Sequence, residues 1–215
     1  MKTPNQKENK QTPQTQQQVW NKIAEQWNKY RETPSPTVIN FLKNKTGKIL
    51  DLGCGSGRNF SAIPKTAEIY AIDFSQEMLE HAKKKNIAEE LTLSTTDKIP
   101  YKDNFFDSII CIALLHCIPK KQHRKNTIKE IYRTLKPKSQ ALISVWSRSS
   151  PRLKNKSKEC FIPWTTSKQS EKHIEKQERF TYIYDKEELE KEVTQAGFTI
   201  IKSWEERNLN IIAEK

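Results

Sequence analysis

The stretch Lys48-Ile49-Leu50-Asp51-Leu52-Gly53-Cys54-Gly55-Ser56-Gly57-Arg58 constrains this chain more than any other. A short apolar run reads as a strand, ends near an acidic residue, passes into glycines at alternate positions and predicts the start of a helix. Gly53, Gly55 and Gly57 carry no side chain, so backbone can approach a ligand closely. Glycines also mark ordinary tight turns, and the loop gains meaning from its surroundings. A second apolar run, Ile69-Tyr70-Ala71-Ile72, ends in Asp73, twenty residues beyond Gly53. In open α/β folds a strand-end carboxylate at that distance accepts hydrogen bonds from a ribose.

The glycine pattern is D-x-G-x-G-x-G, not the G-x-G-x-x-G that sets a helix N-terminus on a pyrophosphate. It resembles the S-adenosyl-L-methionine site of class I methyltransferases, whose ligand has a ribose and an adenine but no phosphate. The resemblance implies that the Gly53–Gly57 loop passes the methionine part and that Asp73 holds the ribose hydroxyls.

The rest of the chain alternates in the same way. Helices are expected over Val19 to Tyr30, with Trp20, Ile23, Ala24 and Trp27 on one face, and over Thr37 to Lys45. Strands are expected at Ala67–Asp73, Leu91–Ser94, Phe105–Leu115 and Gln140–Trp146. Ser75 caps one intervening helix, and Lys120–Leu135 forms another. Strand–helix alternation implies a parallel sheet. Arg148 to Lys176 is polar apart from Cys160-Phe161-Ile162-Pro163-Trp164 and reads as an inserted loop held by one aromatic cluster, set at about 148–178. An extended segment at Arg179–Tyr184, a helix at Asp185–Gln195 ended by Gly197, and strands at Phe198–Trp204 and Leu209–Ala213 follow. An antiparallel closing pair is what class I methyltransferases add to their parallel strands. The expected fold class is therefore α/β, a Rossmann-like class I methyltransferase fold with a mostly parallel seven-stranded sheet and a C-terminal antiparallel pair. Residues 1–18, rich in Lys, Gln, Asn, Thr and Pro, are expected to form a disordered tail, and residues 19–215 a single domain.

Charged residues make up 30% of the 215 and apolar ones only 34%, and the formal net charge is +12. Such a surplus favours a polyanionic partner, nucleic acid ahead of an acidic membrane surface, against the plainer alternative of a general lysine bias. The four cysteines form no C-x-x-C pair, so no metal site is expected from this chain alone. No apolar run reaches the length of a membrane span and no signal-peptide core is present, which reads as a cytoplasmic protein.

Asp97 follows the third expected strand and would join Asp51 and Asp73 on one rim, or else is an ordinary turn residue. His116, at the end of the long fourth strand, is the best-placed ionisable side chain near the reacting methyl; a catalytic or substrate-orienting role and a structural one are equally open. His123-Arg124-Lys125 is either a solvated helix face or an anion grip. Cys117 beside His116 is rejected as a nucleophile pair, because neighbours on a strand point to opposite faces.

The motif Val19-Trp20-x-x-Ile23-Ala24-x-x-Trp27 followed by Arg31, then Ile112-Ala113-Leu114-Leu115-His116 and Ala141 through Trp146, resembles the tRNA wobble-uridine carboxymethyl methyltransferases. Phe161-Ile162-Pro163-Trp164, Arg179-Phe180-x-Tyr182-x-Tyr184-x-x-x-Glu188-Leu189 and Asn208-Leu209-Asn210-Ile211-Ile212 extend the likeness to the C-terminus. The resemblance implies esterification of the carboxylate of 5-carboxymethyluridine in the tRNA anticodon loop. It implies a substrate pocket of Arg31, His116, Arg124 and Trp146, with Trp146 stacking on the flipped base. It also implies cofactor contacts from Asp51, Gly53, Cys54, Gly55, Gly57, Asp73, Phe74, Asp97 and Ala113, with Asp97 accepting from the adenine amino group. The partners implied are tRNA and a small zinc-binding activator protein that adds a strand to a sheet edge as a heterodimer. Three departures stand out. The turn usually written Lys-Pro-Gly-Gly is Lys136-Pro137-Lys138-Ser139, an expected Asp-Trp pair is Asn208-Leu209, and no second catalytic domain accompanies the methyltransferase region. The alternatives are a small-molecule methyltransferase of the quinone or phenol type, which needs no basic surface, and a non-catalytic binding module on the same fold.

Overall fold

A computed structural model describes residues 15–164 and 177–215. Chain order runs through helices α1 (Gln16–Tyr30) and α2 (Pro36–Leu42), strands β1 (Gly47–Leu52) and β2 (Ala67–Asp73), helix α3 (Gln76–Lys83), and strands β3 (Glu90–Leu93) and β4 (Phe106–Ile112). Helix α4 (Lys121–Thr134), strands β5 (Leu135–Trp146), β6 (Glu159–Trp164) and β7 (Gln177–Tyr182), helix α5 (Lys186–Gln195), and strands β8 (Thr199–Glu205) and β9 (Asn208–Glu214) complete it. Seven strands form one sheet in the order β3-β2-β1-β4-β5-β9-β8. The pairings through β5 are parallel, and β9 is antiparallel to both β5 and β8. The expected fold class is the observed one.

Strand alternation divides the core in two. Leu50, Leu52, Ile109, Cys111 and Ile143 meet Ile128 and Ile131 of α4 and Leu189 and Val193 of α5. Ile49, Ala71, Ile110 and Leu142 meet Val38, Phe41 and Leu42 of α2 and Leu79 and Ala82 of α3. Strands buried on both faces explain the near-continuous apolar runs. Strand order reverses between β1 and β4, and in open α/β sheets the crevice at the carboxyl ends of such strands takes the ligand.

Five expectations need correction. The tail ends sooner than its composition suggests: α1 starts at Gln16, and Thr15 and Gln18 form a reciprocal capping box, which outweighs the polar character of these residues. The helix expected after the glycine loop is only a 3₁₀ turn, Phe60–Ala62, because Pro64 has no N–H to continue it and holds Ile63 extended. Strand β4 stops at Ile112, where Ala113 turns to a φ of 58°, and Leu115–Cys117 is a 3₁₀ turn. His116 and Cys117 therefore lie off the strand, and face alternation does not apply to them. Strand β5 begins at Leu135 rather than Gln140. The inserted segment contains β6, which pairs antiparallel with β7 from Glu159↔Tyr182 to Trp164↔Gln177. Pro163 fits because a two-stranded ribbon leaves each strand an edge where a missing N–H breaks nothing. Residues 165–176 of that segment lie outside the described residues, as do residues 1–14 of the tail.

Lys138 occupies a φ of 62°, the conformation that a glycine would supply in the corresponding turn. Lys138→Gly is expected to stabilise the domain by about 0.5–1 kcal/mol, read as a higher urea midpoint with an unchanged slope.

Candidate functional site

The site is assembled at the carboxyl end of β2. Asp73 accepts the Gly55 N–H on Oδ2 (2.8 Å) and the Ser75 N–H on Oδ1 (2.9 Å). Each oxygen keeps a lone pair for a further donor. Burial pushes the Asp73 carboxyl up to about 6. Gly53 and Cys54 both donate to the Ile72 carbonyl, so the loop after β1 hangs from β2. Gly53 has a φ of 73°, and a Cβ there would stand 2.8 Å from Leu114, so this position excludes other residues on both counts.

Gly53, Cys54, Gly55, Asp73, Phe74 and Ala113 line one crevice, as expected of cofactor contacts, and Trp20, Trp27, Arg58 and Cys117 also face it. An adjoining, largely apolar pocket shares Phe74, Leu114 and Cys117 and includes Thr96, Asp97 and His123. Asp97 Oδ2 lies 3.4 Å from His123 Nδ1. Two joined pockets, with a doubly anchored carboxylate at the first and an acidic residue at the second, fit an adenosyl group bearing an amino-acid chain.

Two expected cofactor contacts sit behind the crevice instead. Asp51 is fully buried and accepts from Asn59 Nδ2 at 3.2 and 3.4 Å, and burial pushes its carboxyl up to about 7. Gly57 leaves room for the Phe60 ring, which a Cβ would meet at 2.5 Å. Both shape the loop from below and do not line the crevice.

The expected substrate residues divide. His116 is 1% exposed, stacks on Trp146 at 4.7 Å, and accepts the Trp146 N–H on Nδ1 (3.3 Å). Burial lowers its pKa to about 3, so it is neutral at physiological pH and a poor proton acceptor. It lines neither pocket. Arg124 is buried too: Nη1 donates to the Ile118 and Pro119 carbonyls (2.9 and 2.8 Å), and the guanidinium lies 3.7 Å over the Tyr182 ring. Its Nη1 staples the segment after β4, while its buried Nε–H has no acceptor. Trp146 has His116 stacked against one face of its ring. Arg31 ends α1, half-buried over Trp27 at 5.4 Å. Burial, then the nearby Arg152, holds its pKa below the usual arginine value.

Arg179 is not among the expected site residues. It is 4% exposed, and its guanidinium carbon lies 5.1–5.8 Å from the ring centroids of Trp20, Trp27, Trp146 and Trp164. Desolvation lowers its pKa to about 10. A signal was available: on β7, residues 177, 179 and 181 share a phase, and a cation on the inward phase of a strand is unusual.

Asp51 and Asp73 both titrate higher in the folded chain than the ordinary aspartate value of 3.8. Such a group stabilises the fold fully below the unfolded pKa and loses that contribution as pH rises through the folded pKa. Asp51→Asn stays neutral throughout, so from about pH 4 to about pH 8 it should gain more than about 1 kcal/mol on the parent in urea unfolding. Asp73→Ala should weaken S-adenosylhomocysteine binding about tenfold or more in calorimetry, through loss of charge-assisted hydrogen bonds.

The methyltransferase-domain family matches residues 50–143. The tRNA (carboxymethyluridine(34)-5-O)-methyltransferase of Saccharomyces cerevisiae is 31% identical over 163 residues, 72% of this chain and 57% of that protein. The Schizosaccharomyces pombe protein of the same name is 28% identical over 220 residues, 92% of this chain and 95% of that one. The chain thus spans just over half the length of the first relative and nearly all of the second. Among solved structures, a Clostridium acetobutylicum S-adenosylmethionine-dependent methyltransferase superposes with a TM-score of 0.72 at 17% identity, over 91% of this chain and 98% of that one. A chain from the complex between the Haloferax volcanii Trm112 methyltransferase activator and a methyltransferase gives 0.67 at 15%, over 92% and 94%. At such identities these structures establish the fold. With the sequence match and the crevice, they make the chain a class I S-adenosylmethionine-dependent methyltransferase that resembles the tRNA carboxymethyluridine methyltransferases.

Proposed function

We propose that the chain esterifies the carboxylate of 5-carboxymethyluridine at the tRNA wobble position. One observation carries this reading: among the described residues, the acceptor side of the crevice holds no group that takes a proton at neutral pH. His116 is neutral and buried, Ala113 and Leu114 are apolar, and burial pushes the Cys117 thiol up to about 12. A phenol or amine acceptor would need a base there, whereas a carboxylate arrives ionised. S-adenosyl-L-methionine, when bound, supplies a methyl on a cationic sulfur; a carboxylate oxygen forms the O–CH₃ bond, the S–CH₃ bond breaks, and no proton moves.

The residues of this chain would then act by positioning. Asp73 holds the ribose, the Gly53–Gly55 backbone and Arg58 border the methionine part, and Asp97 takes the adenine edge. Trp20 and Trp27 wall off water, so alignment and desolvation supply most of the acceleration. Arg31 orients the incoming anion at the mouth. The net charge of +12 and the names of the yeast relatives support tRNA as the carrier of that anion.

The same reading includes a small zinc-binding activator as heterodimer partner, which the Haloferax volcanii complex supports. Strand β3 ends the sheet and carries the exposed Leu93, beside exposed Ile87 and a groove bordered by Leu91, which suits an added strand. No helix among the described residues is long and apolar enough to cross a membrane, and a cytoplasmic site of action belongs to the proposal. We infer one methyltransferase domain from residue 15 onward, with the β6–β7 ribbon as its acceptor-side addition.

Labelled S-adenosylmethionine with total tRNA, with and without the activator, should yield a methyl-ester wobble uridine after nucleoside digestion. The turnover rate should stay flat between about pH 7.5 and 9, because no base titrates. An unlabelled tRNA pool under both conditions, or a rate that climbs with pH, would sink the reading.

A further inference from the structure

Among the described residues, the buried cation Arg179 is paired with no anion. Its Nε–H has no hydrogen-bond acceptor, and neither has the indole N–H of Trp20 beside it. The nearby Arg31 and Arg152 are also positive, and the Cys117 thiol, whose thiolate would favour the cation, stays protonated at neutral pH. Among the described residues no carboxylate forms an ion pair with it. Four indole rings offset part of its lost hydration through their faces, but an aromatic face does not replace an acceptor for an N–H. Buried polar groups are nearly always paired, and an unpaired one calls for an explanation. The N–H groups of Arg179 and Trp20 lack an acceptor here, and one negatively charged acceptor would serve both.

The position of the cage says which anion. Trp20 and Trp27 belong both to the cage and to the wall of the cofactor crevice. Arg179 itself does not line that crevice, whereas Arg58 does. The amino-acid carboxylate of the cofactor therefore has its own arginine, and the cage adjoins the crevice at these two shared rings.

We propose that Arg179 is the acceptor-recognition residue: with the Trp20 indole N–H it holds the substrate's carboxylate inside the tryptophan cage, next to the methyl donor. The inference rests on the esterification reading above and gives it a specificity determinant. A planar guanidinium matches a carboxylate edge, whereas a neutral amide brings an NH₂ group against N–H donors. Charge-assisted bonds in a desolvated cage discriminate acid from amide by on the order of tenfold or more.

The test uses the full chain saturated with S-adenosylhomocysteine, followed by its own tryptophan fluorescence, since four of the five tryptophans surround Arg179. The probes are an anticodon stem-loop bearing 5-carboxymethyluridine, the same stem-loop bearing the carbamoylmethyl amide, and the two free nucleosides. The parent should prefer the acid. Arg179→Gln should bind acid and amide alike with unchanged S-adenosylhomocysteine affinity, and Arg179→Lys should restore part of the preference. Removal of an unpaired buried charge should also raise the Tm of Arg179→Gln, opposite to the effect of losing a structural contact. Retained acid preference in Arg179→Gln, a lowered Tm with equal loss of both probes, or loss of S-adenosylhomocysteine affinity instead would each overturn the assignment; the last would give the anion to the cofactor. A parent that ignores both stem-loops but separates the free acid from the free amide through Arg179 would uphold the cage and refute the tRNA reading. A parent indifferent to all four probes would refute the cage.

Discussion

The Asp73 carboxylate joins parts of the chain that local structure alone would leave apart. One oxygen takes the N–H of Gly55, from the loop that follows β1, and the other takes the N–H of Ser75, the cap of α3. Ser75 passes the connection on, donating its hydroxyl to Asn21 of α1 (2.6 Å). Remove this carboxylate and the glycine loop, the start of α3 and the helix that carries Trp20 and Trp27 lose a common anchor. The group that would meet a ribose thus also sets the shape of the crevice around it, which requires it to be buried and costs it some of its acidity.

The acceptor side follows a different logic. Of the ionisable side chains there, the buried His116 and the half-buried Cys117 are neutral at neutral pH, and Arg124 donates to two carbonyls. The surfaces left for an acceptor are aromatic and cationic. Such a surface has little to offer a proton and much to offer a flat base with a negative charge nearby.

The fold and the cofactor crevice were largely legible because their signals are local. Alternating apolar runs located the strands, Ser75 was read as a cap, and Asp73 stood at the right distance from Gly53. The acceptor side was less legible because its roles depend on what surrounds each side chain. His116 and Arg124 sit where a motif puts them, but burial takes one out of proton chemistry and two carbonyls occupy the other. Arg179 stands within an aromatic run, and nothing local there says that four tryptophans from three segments close around it. Gln16 and Gln17 were hidden by the composition of a polar tail. Gln16 in fact bonds the backbone of β7 at Phe180 and Glu178, and Gln17 bonds the Phe74 carbonyl (2.6 Å).

Helix α1 is consequently a bridge. Its Gln16 and Gln26 side chains hold the β6–β7 ribbon, the latter through the Trp164 indole (2.7 Å), while Gln17 and Asn21 hold the end of β2. The ribbon makes no pairing with the seven-stranded sheet beyond an isolated bridge between Ser147 and Tyr184 just past its end. In the proposed reading the ribbon supplies Arg179 and Trp164 to the acceptor side, the sheet holds the methyl donor, and α1, whose Trp20 and Trp27 face both, connects them. On that reading, mutation could rewrite the ribbon, and with it the molecules the protein accepts, while the glycine loop and its carboxylate stay as they are. A lineage built this way can diversify its substrates without relearning how to hold its methyl donor.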